Sequence, residues 1–163
     1  CGQSRPHFFD GVCQVMMRLL GLIQPHNLYF GEKDFQQSCI IQQLLADMES
    51  TVQLIVCPVY REVSGLACSS RNLYLSSEQH EKAALIFKVL QSIKSRYQES
   101  PELSLEIAKR MVKDALTSDI GFTLDYFACV TDACVSLDSL HKDARLIIAV
   151  YLDSIRLLDT ISL

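Results

Sequence analysis

Between Asp10 and Ile23 the apolar residues recur with a helical period. Val12, Val15, Met16, Leu19, Leu20 and Ile23 fall at i, i+3, i+4, i+7, i+8 and i+11, one stripe of an amphipathic helix. Gln24-Pro25-His26 ends it. Leu28-Tyr29-Phe30, stopped by Gly31, reads as a short buried strand. A second helix is predicted from about Asp34, a residue suited to N-capping, to about Met48. Thr51 to Cys57 is apolar and β-branched and is closed by Pro58, the pattern of a second strand. Helix, strand, helix and strand with short connections predict a parallel α/β sheet. Two strands are too few for a doubly wound domain, so residues 1–60 read as the C-terminal part of one.

The pattern then changes. Residues 59–76 are polar, with Arg61-Glu62, Ser64-Gly65 and Ser69-Ser70-Arg71-Asn72, and show no sustained period. Such a segment is a loop, where functional groups concentrate. Ser76-Ser77-Glu78-Gln79 is a capping box for a helix with Ala83, Ile86, Leu90, Ile93 and Tyr97 on one face. Ser100-Pro101 breaks it, and a further helix keeps Leu105, Ala108, Val112 and Ala115 in register, in a region ended by Gly121. Leu124, Tyr126, Ala128 and Val130 alternate with Asp125, Phe127 and Cys129, as in a strand with one buried face. Arg145 to Leu152 is almost wholly apolar, and Asp153-Ser154 is a turn that closes a hairpin onto the segment from Ile155. Residues 61–163 are therefore expected to form a small α+β domain whose antiparallel sheet has three strands, 123–130, 145–152 and 155–160.

Composition narrows the function classes. Of the 163 residues 49% are apolar and 21% charged, with net charge −4, a balance that points to neither nucleic acid nor an anionic membrane as partner. An anionic ligand must then be held by a few local cations. No apolar run reaches the ~18 residues of a membrane span. The seven cysteines, Cys1, Cys13, Cys39, Cys57, Cys68, Cys129 and Cys134, include no C-x-x-C pair and no histidine at zinc-finger spacing. They are expected to be reduced, mostly buried thiols of a cytoplasmic protein. The chain opens in Cys1-Gly2-Gln3-Ser4-Arg5, without Met or a signal-like segment, and is expected to be a fragment or a processed product.

Two clusters carry chemistry. Phe30-Gly31-Glu32-Lys33-Asp34-Phe35-Gln36-Gln37 lies where a strand gives way to a helix, the ligand edge of an open α/β sheet. Free N–H groups there suit an anion, Lys33 adds charge, and Asp34 either accepts from a ribose hydroxyl or caps the helix. On spacing alone, a capped and solvated helix start is the plainer account of this cluster. Gly65-Leu66-Ala67-Cys68-Ser69-Ser70-Arg71-Asn72 offers hydroxyls and a guanidinium to phosphate oxygens. A polar turn is the plainer account of it.

The two clusters, with Pro58-Val59-Tyr60-Arg61-Glu62 between them, resemble the pantothenate synthetase (pantoate–β-alanine ligase) family in order, spacing and wording. Ser4-Arg5-Pro6 and Gly11-Val12 upstream, and Ala144 to Val150 with Arg156-Leu157-Leu158-Asp159 downstream, extend the resemblance over nearly the whole chain. It implies a Rossmann-like nucleotidyltransferase domain and a two-step reaction: pantoate attacks the α-phosphorus of Mg-ATP, then β-alanine displaces AMP. It also implies roles for individual residues. Phe30 and Gly31 would meet adenosine through their backbone, and Lys33 would neutralise the α-phosphate region. Asp34 would hold the ribose and Gln37 pantoate. Ser69, Ser70 and Arg71 would hold the β- and γ-phosphates, Tyr60 and Cys68 would line the adenine pocket, and Arg5 would add positive charge.

Where the family has His-Phe-Arg this chain has Phe8-Phe9-Asp10, and His7, one place earlier, is given no role. The family's His-x-x-His signature, its acidic Mg²⁺ ligands and one pantoate-binding glutamine belong to an N-terminal part with no counterpart here. The isolated chain is thus expected to be an inactive part of a homodimeric ligase; the alternative is a non-catalytic nucleotide-binding or assembly module.

Overall fold

The computed structural model describes residues 5–116 and 120–163, and the chain divides into two compact units, Cys1–Pro58 and Val59–Leu163. The first contains α1 (Phe8–Ile23), β1 (Asn27–Gly31), a short 3₁₀ turn (Glu32–Asp34), α2 (Phe35–Asp47) and β2 (Gln53–Cys57). The two strands are parallel, with Asn27 opposite Gln53 and Gly31 opposite Cys57. This is the β-α-β unit that the alternation predicts.

Leu20, Ile41 and Leu45 are its buried centre, with Val12, Met16, Leu28, Phe30 and Leu54 packed against them. Only part of the α1 stripe is used. Val12, Met16 and Leu20 lie four residues apart and face the cluster, whereas Val15, Leu19 and Ile23, on the flank, are exposed. The strand reading of residues 28–30 also needs correction, because β1 is half-buried. Leu28 and Phe30 face the cluster, and Tyr29 on the opposite face is 63% exposed.

In the second unit α3 (Ser77–Glu99) and α4 (Leu105–Ala115) accompany an antiparallel sheet of β3 (Phe122–Val130), β4 (Ser136–Leu137), β5 (Arg145–Leu152) and β6 (Ile155–Ser162). The strand order is β4-β3-β5-β6. The sheet has four strands where three were expected: two residues of β4 pair with Cys129 and Val130, a segment too short to leave a period in the sequence. The capping box at the start of α3 is complete. Gln79 N donates to Ser76 Oγ (3.2 Å) and Ser76 N to Gln79 Oε1 (2.9 Å). Leu90 and Ile93 of α3, Ala108 and Val112 of α4, and Leu146, Ile148 and Val150 of β5 meet in one core. Each such large apolar side chain stabilises the fold by roughly 1.5–3 kcal/mol when buried.

The alternation in β3 fails midway. Its pairing with β5 shifts register between Leu124 and Tyr126, so Asp125 is a bulge residue. The bulge puts Phe127 and Cys129 into the core and leaves Leu124 41% exposed, against the expected alternation, while Val130 is buried as its place in that pattern implies. Asp125 Oδ2 accepts from Arg156 Nε (3.0 Å) and Nη2 (2.7 Å) of β6, and both side chains are nearly buried. Burial pushes the Tyr126 phenol and the Cys129 thiol above their ordinary ranges, the former partly offset by Arg156. Among the six described cysteines only Cys129 is buried; the other five are half-buried, so the expectation of mostly buried thiols is not met.

Candidate functional site

In the first unit the Phe30–Gln37 cluster is built as a strand end, a tight turn and a helix start. Phe30 commits its side chain to the core, which leaves its backbone at the carboxyl end of β1. Gly31 is the last strand residue, and a side chain built there would meet nothing within 4 Å, so the strand end is open. Glu32, Lys33 and Asp34 form the 3₁₀ turn, and α2 begins at Phe35. Asp34 occupies the N-cap position, but its side chain accepts no capping hydrogen bond. Its carboxylate instead lies 3.1 Å from the Lys33 ammonium. The capping alternative for Asp34 is therefore corrected. The intervening turn moves the carboxylate off the α2 amides and leaves it to pair with Lys33. Gln37 sits half-buried in the first turn of α2, on the element that carries this cluster.

Arg5 precedes α1. Its guanidinium lies 3.7 Å over the Phe8 ring, and its buried Nε has no hydrogen-bond partner among the described residues. His7 is exposed and pairs with Asp10 at 2.9 Å.

In the second unit the segment from Tyr60 to Asn72 doubles back on itself. Arg61 and Ala67 form an antiparallel bridge, and Cys68 N donates to Tyr60 O (2.9 Å). Tyr60 and Cys68 are thereby brought together, with Tyr60 80% exposed. Ser69 follows at once and caps a second 3₁₀ turn (Ser70–Tyr74), its Oγ accepting from Arg71 N (3.2 Å). The Ser70 and Arg71 side chains are exposed, and Arg71 makes no ion pair among the described residues. Two hydroxyls and an uncommitted guanidinium on consecutive residues are therefore open to an anion.

Sequence reasoning assigned nothing to the residues that hold this loop. Arg61 grips Asp159 of β6 through both nitrogens of its fork (2.7 and 2.8 Å). Asn72, only 5% exposed, donates to Glu62 Oε1 (2.8 Å) and to Ala67 O (3.2 Å). His80 Nε2 donates to Asn72 O (3.0 Å). An Arg-Glu pair inside an otherwise aperiodic loop was the one local signal; nothing near Asp159 announced its partner 98 residues away.

The family model described as Pantoate-beta-alanine ligase matches residues 1–162. The chain belongs to that family. Among curated members of the pantoate–β-alanine ligase family, it is 41% identical to the bifunctional pantoate ligase/cytidylate kinase of Trichodesmium erythraeum, aligning over 100% of this chain and 31% of that protein. It is 40% identical to the pantothenate synthetase of Chlorobium chlorochromatii, over 97% of this chain and 55% of that one. The crystal structure of pantothenate synthetase from Thermus thermophilus superposes with a TM-score of 0.90 at 35% identity, covering 99% of this chain and 58% of that one. A pantoate-beta-alanine ligase from Francisella tularensis, complexed with beta-gamma ATP and beta-alanine, superposes at 0.73 with 34% identity, covering 99% and 52%. The chain thus spans at most a little over half the length of these ligases. The helix–sheet architecture expected from the sequence agrees with these neighbours. Among the described residues no helix is long and apolar enough to cross a membrane.

Proposed function

We propose that this chain supplies the nucleotide- and pantoate-holding part of an ATP-dependent ligase that condenses pantoate with β-alanine. The observation that carries the reading is the position of Lys33. It stands on the turn at the carboxyl end of a parallel strand, in a chain matched by the ligase family over residues 1–162.

In the first step a pantoate carboxylate oxygen bonds to the α-phosphorus of ATP, the bond to the bridging oxygen breaks, and pyrophosphate leaves. In the second the β-alanine amine attacks the acyl carbon of the adenylate, loses a proton, and AMP departs with the oxygen. The first step brings a carboxylate up to a polyanion, and charge grows on the departing pyrophosphate. Fixed cations and oriented donors lower that barrier most. Lys33 serves the α-phosphate, Asp34 the ribose hydroxyls and Gln37 pantoate. The backbone at Phe30 and Gly31 faces the adenosine. Ser69, Ser70 and Arg71 hold the β- and γ-phosphates, Tyr60 and Cys68 line the adenine site, and Arg5 adds positive charge.

Mg²⁺ would enter on the triphosphate, needing only one or two protein carboxylates beside phosphate oxygens. The described residues include no group of three or more His, Cys, Asp or Glu able to hold a metal, and its acidic ligands are expected from the family's upstream segment. The working ligase is proposed to be a cytoplasmic homodimer, with this chain inactive by itself.

The test is single-turnover formation of pantoyl adenylate from pantoate and Mg-ATP, followed by quenching, in the ligase completed by that upstream segment. Loss of the adenylate in Lys33→Ala supports the assignment. Full adenylation in both Lys33→Ala and Arg71→Ala overturns it.

A further inference from the structure

Arg61 looks at first like another phosphate ligand, a cation in a polar loop a few residues before Ser69-Ser70-Arg71. Its surroundings say otherwise. Nη1 donates to Asp159 Oδ2 (2.7 Å) and to Gly65 O (3.1 Å), and Nη2 donates to Asp159 Oδ1 (2.8 Å) and to Thr160 O (3.2 Å). The guanidinium plane lies 3.7 Å over the Phe87 ring of α3. Its side chain is 18% exposed and that of Asp159 2%. All four Nη donors are used, and a bidentate pair of this kind fixes direction as well as distance.

The bonds of Arg61 join three parts of the second unit: the loop, through Gly65 O; strand β6, through Asp159 and Thr160; and helix α3, through Phe87. Gly65 is held at φ +91°, and a Cβ there would come within 2.7 Å of Phe87 Cδ1, so the loop packs on the same ring. From Arg61 the order passes along the chain. The Arg61–Ala67 bridge sets the Tyr60–Cys68 backbone bond, and Cys68 leads directly into Ser69. On the far side Asn72, bonded to Glu62 and Ala67 O, closes the loop beneath Arg71 in sequence.

We infer that Arg61, anchored on Asp159, is a positioning residue for the phosphate-holding segment Ser69–Arg71 and for the Tyr60–Cys68 pair. It touches no ligand itself and acts by holding the loop to β6 and α3. The inference deepens the proposed function and rests on its reading of Ser69–Arg71 as a phosphate holder.

Two readouts on this chain test it: amide hydrogen exchange at Cys68 and Asn72 compared with Ile148 of β5, and ATP affinity by calorimetry. Arg61→Ala is expected to speed loop exchange and to weaken ATP binding, each by about tenfold or more, because a displaced loop misplaces donors that must meet phosphate oxygens within tenths of an ångström. Ile148 stays protected. Arg61→Lys keeps the charge without the fork, and is expected to keep β5 intact while failing to restore ATP affinity. Unchanged loop exchange in Arg61→Ala overturns the inference. So does faster loop exchange with native ATP affinity when Arg71→Ala loses that affinity. If Arg71→Ala also binds ATP normally, or the unaltered chain binds none, the phosphate reading itself falls and takes the positioning role with it. Should Arg61→Ala unfold the sheet, Arg61→Lys decides by the same two readouts: weakened ATP binding with a protected Ile148 supports the inference, and native affinity overturns it.

Discussion

The Lys33 ammonium lies 3.1 Å from the Asp34 carboxylate, so the cation assigned to the α-phosphate is already paired with the neighbour assigned to the ribose. The Lys33 side chain is mostly shielded, at 18% exposure, and Asp34 is more open at 42%. On the proposed assignment a nucleotide would engage both partners at once, its phosphate drawing on Lys33 and its ribose hydroxyls donating to Asp34. Lys33→Ala in the completed ligase is expected to slow adenylation by about 100-fold or more, the scale of losing one preorganised donor to developing charge. An unaltered single-turnover rate would reduce the pair to a surface ion pair.

Arg71→Ala is expected to impair ATP use to a similar order, about 100-fold. Arg71→Lys should recover only part of it, because an ammonium cannot reproduce the bidentate fork. The measurement is the ATP dependence of pantoyl adenylate formation. Full recovery by lysine would mean that charge alone matters at this position.

The chain by itself is expected to form no pantothenate from pantoate, β-alanine and Mg-ATP. The transition state would be met by donors from only part of the family's site. Turnover by the purified chain, followed by product chromatography, would contradict this.

Asp125 and Arg156 are nearly buried, so removing one deprives the other, still charged, of its ion-pair partner at 2.7 Å. Asp125→Ala is expected to cost about 3–5 kcal/mol in urea unfolding. Ser76→Ala, which removes one half of an exposed capping box, should cost only about 1 kcal/mol. Equal losses in the two variants would show that the buried pair is no more important than the cap.

Burial raises the Tyr126 phenol above its ordinary value of 10.0. A raised acid favours the protonated folded form, so stability is intact below pH 10 and is lost as pH climbs through the folded-state value. Tyr126→Phe should therefore flatten the alkaline side of the stability profile above pH 10 without changing its slope near neutrality. Parallel alkaline limbs in the two proteins would refute this.

What the sequence made legible was local. The capping box at Ser76 and Gln79, the α3 stripe through Leu90 and Ile93, and the turn at Asp153-Ser154 each rest on residues a few positions apart. The Lys33–Asp34 turn was located, but its 3₁₀ form was not, because three residues carry no period. The bulge at Asp125 broke the β3 alternation because one inserted residue shifts a period of two, and its partner Arg156 stands 31 residues away. Ser136 and Leu137 became a strand only by pairing with Cys129 and Val130. The tie between Arg61 and Asp159 belongs to the same class: neither flanking sequence contains the other.

That last separation also has a meaning in time. Arg61 is joined to the growing chain 98 residues before Asp159. At usual synthesis speeds that is roughly 5–20 s. Throughout that interval the segment leading to Ser69–Arg71 lacks its anchor on β6, so the phosphate grip proposed for it has to wait until β6 has been synthesised.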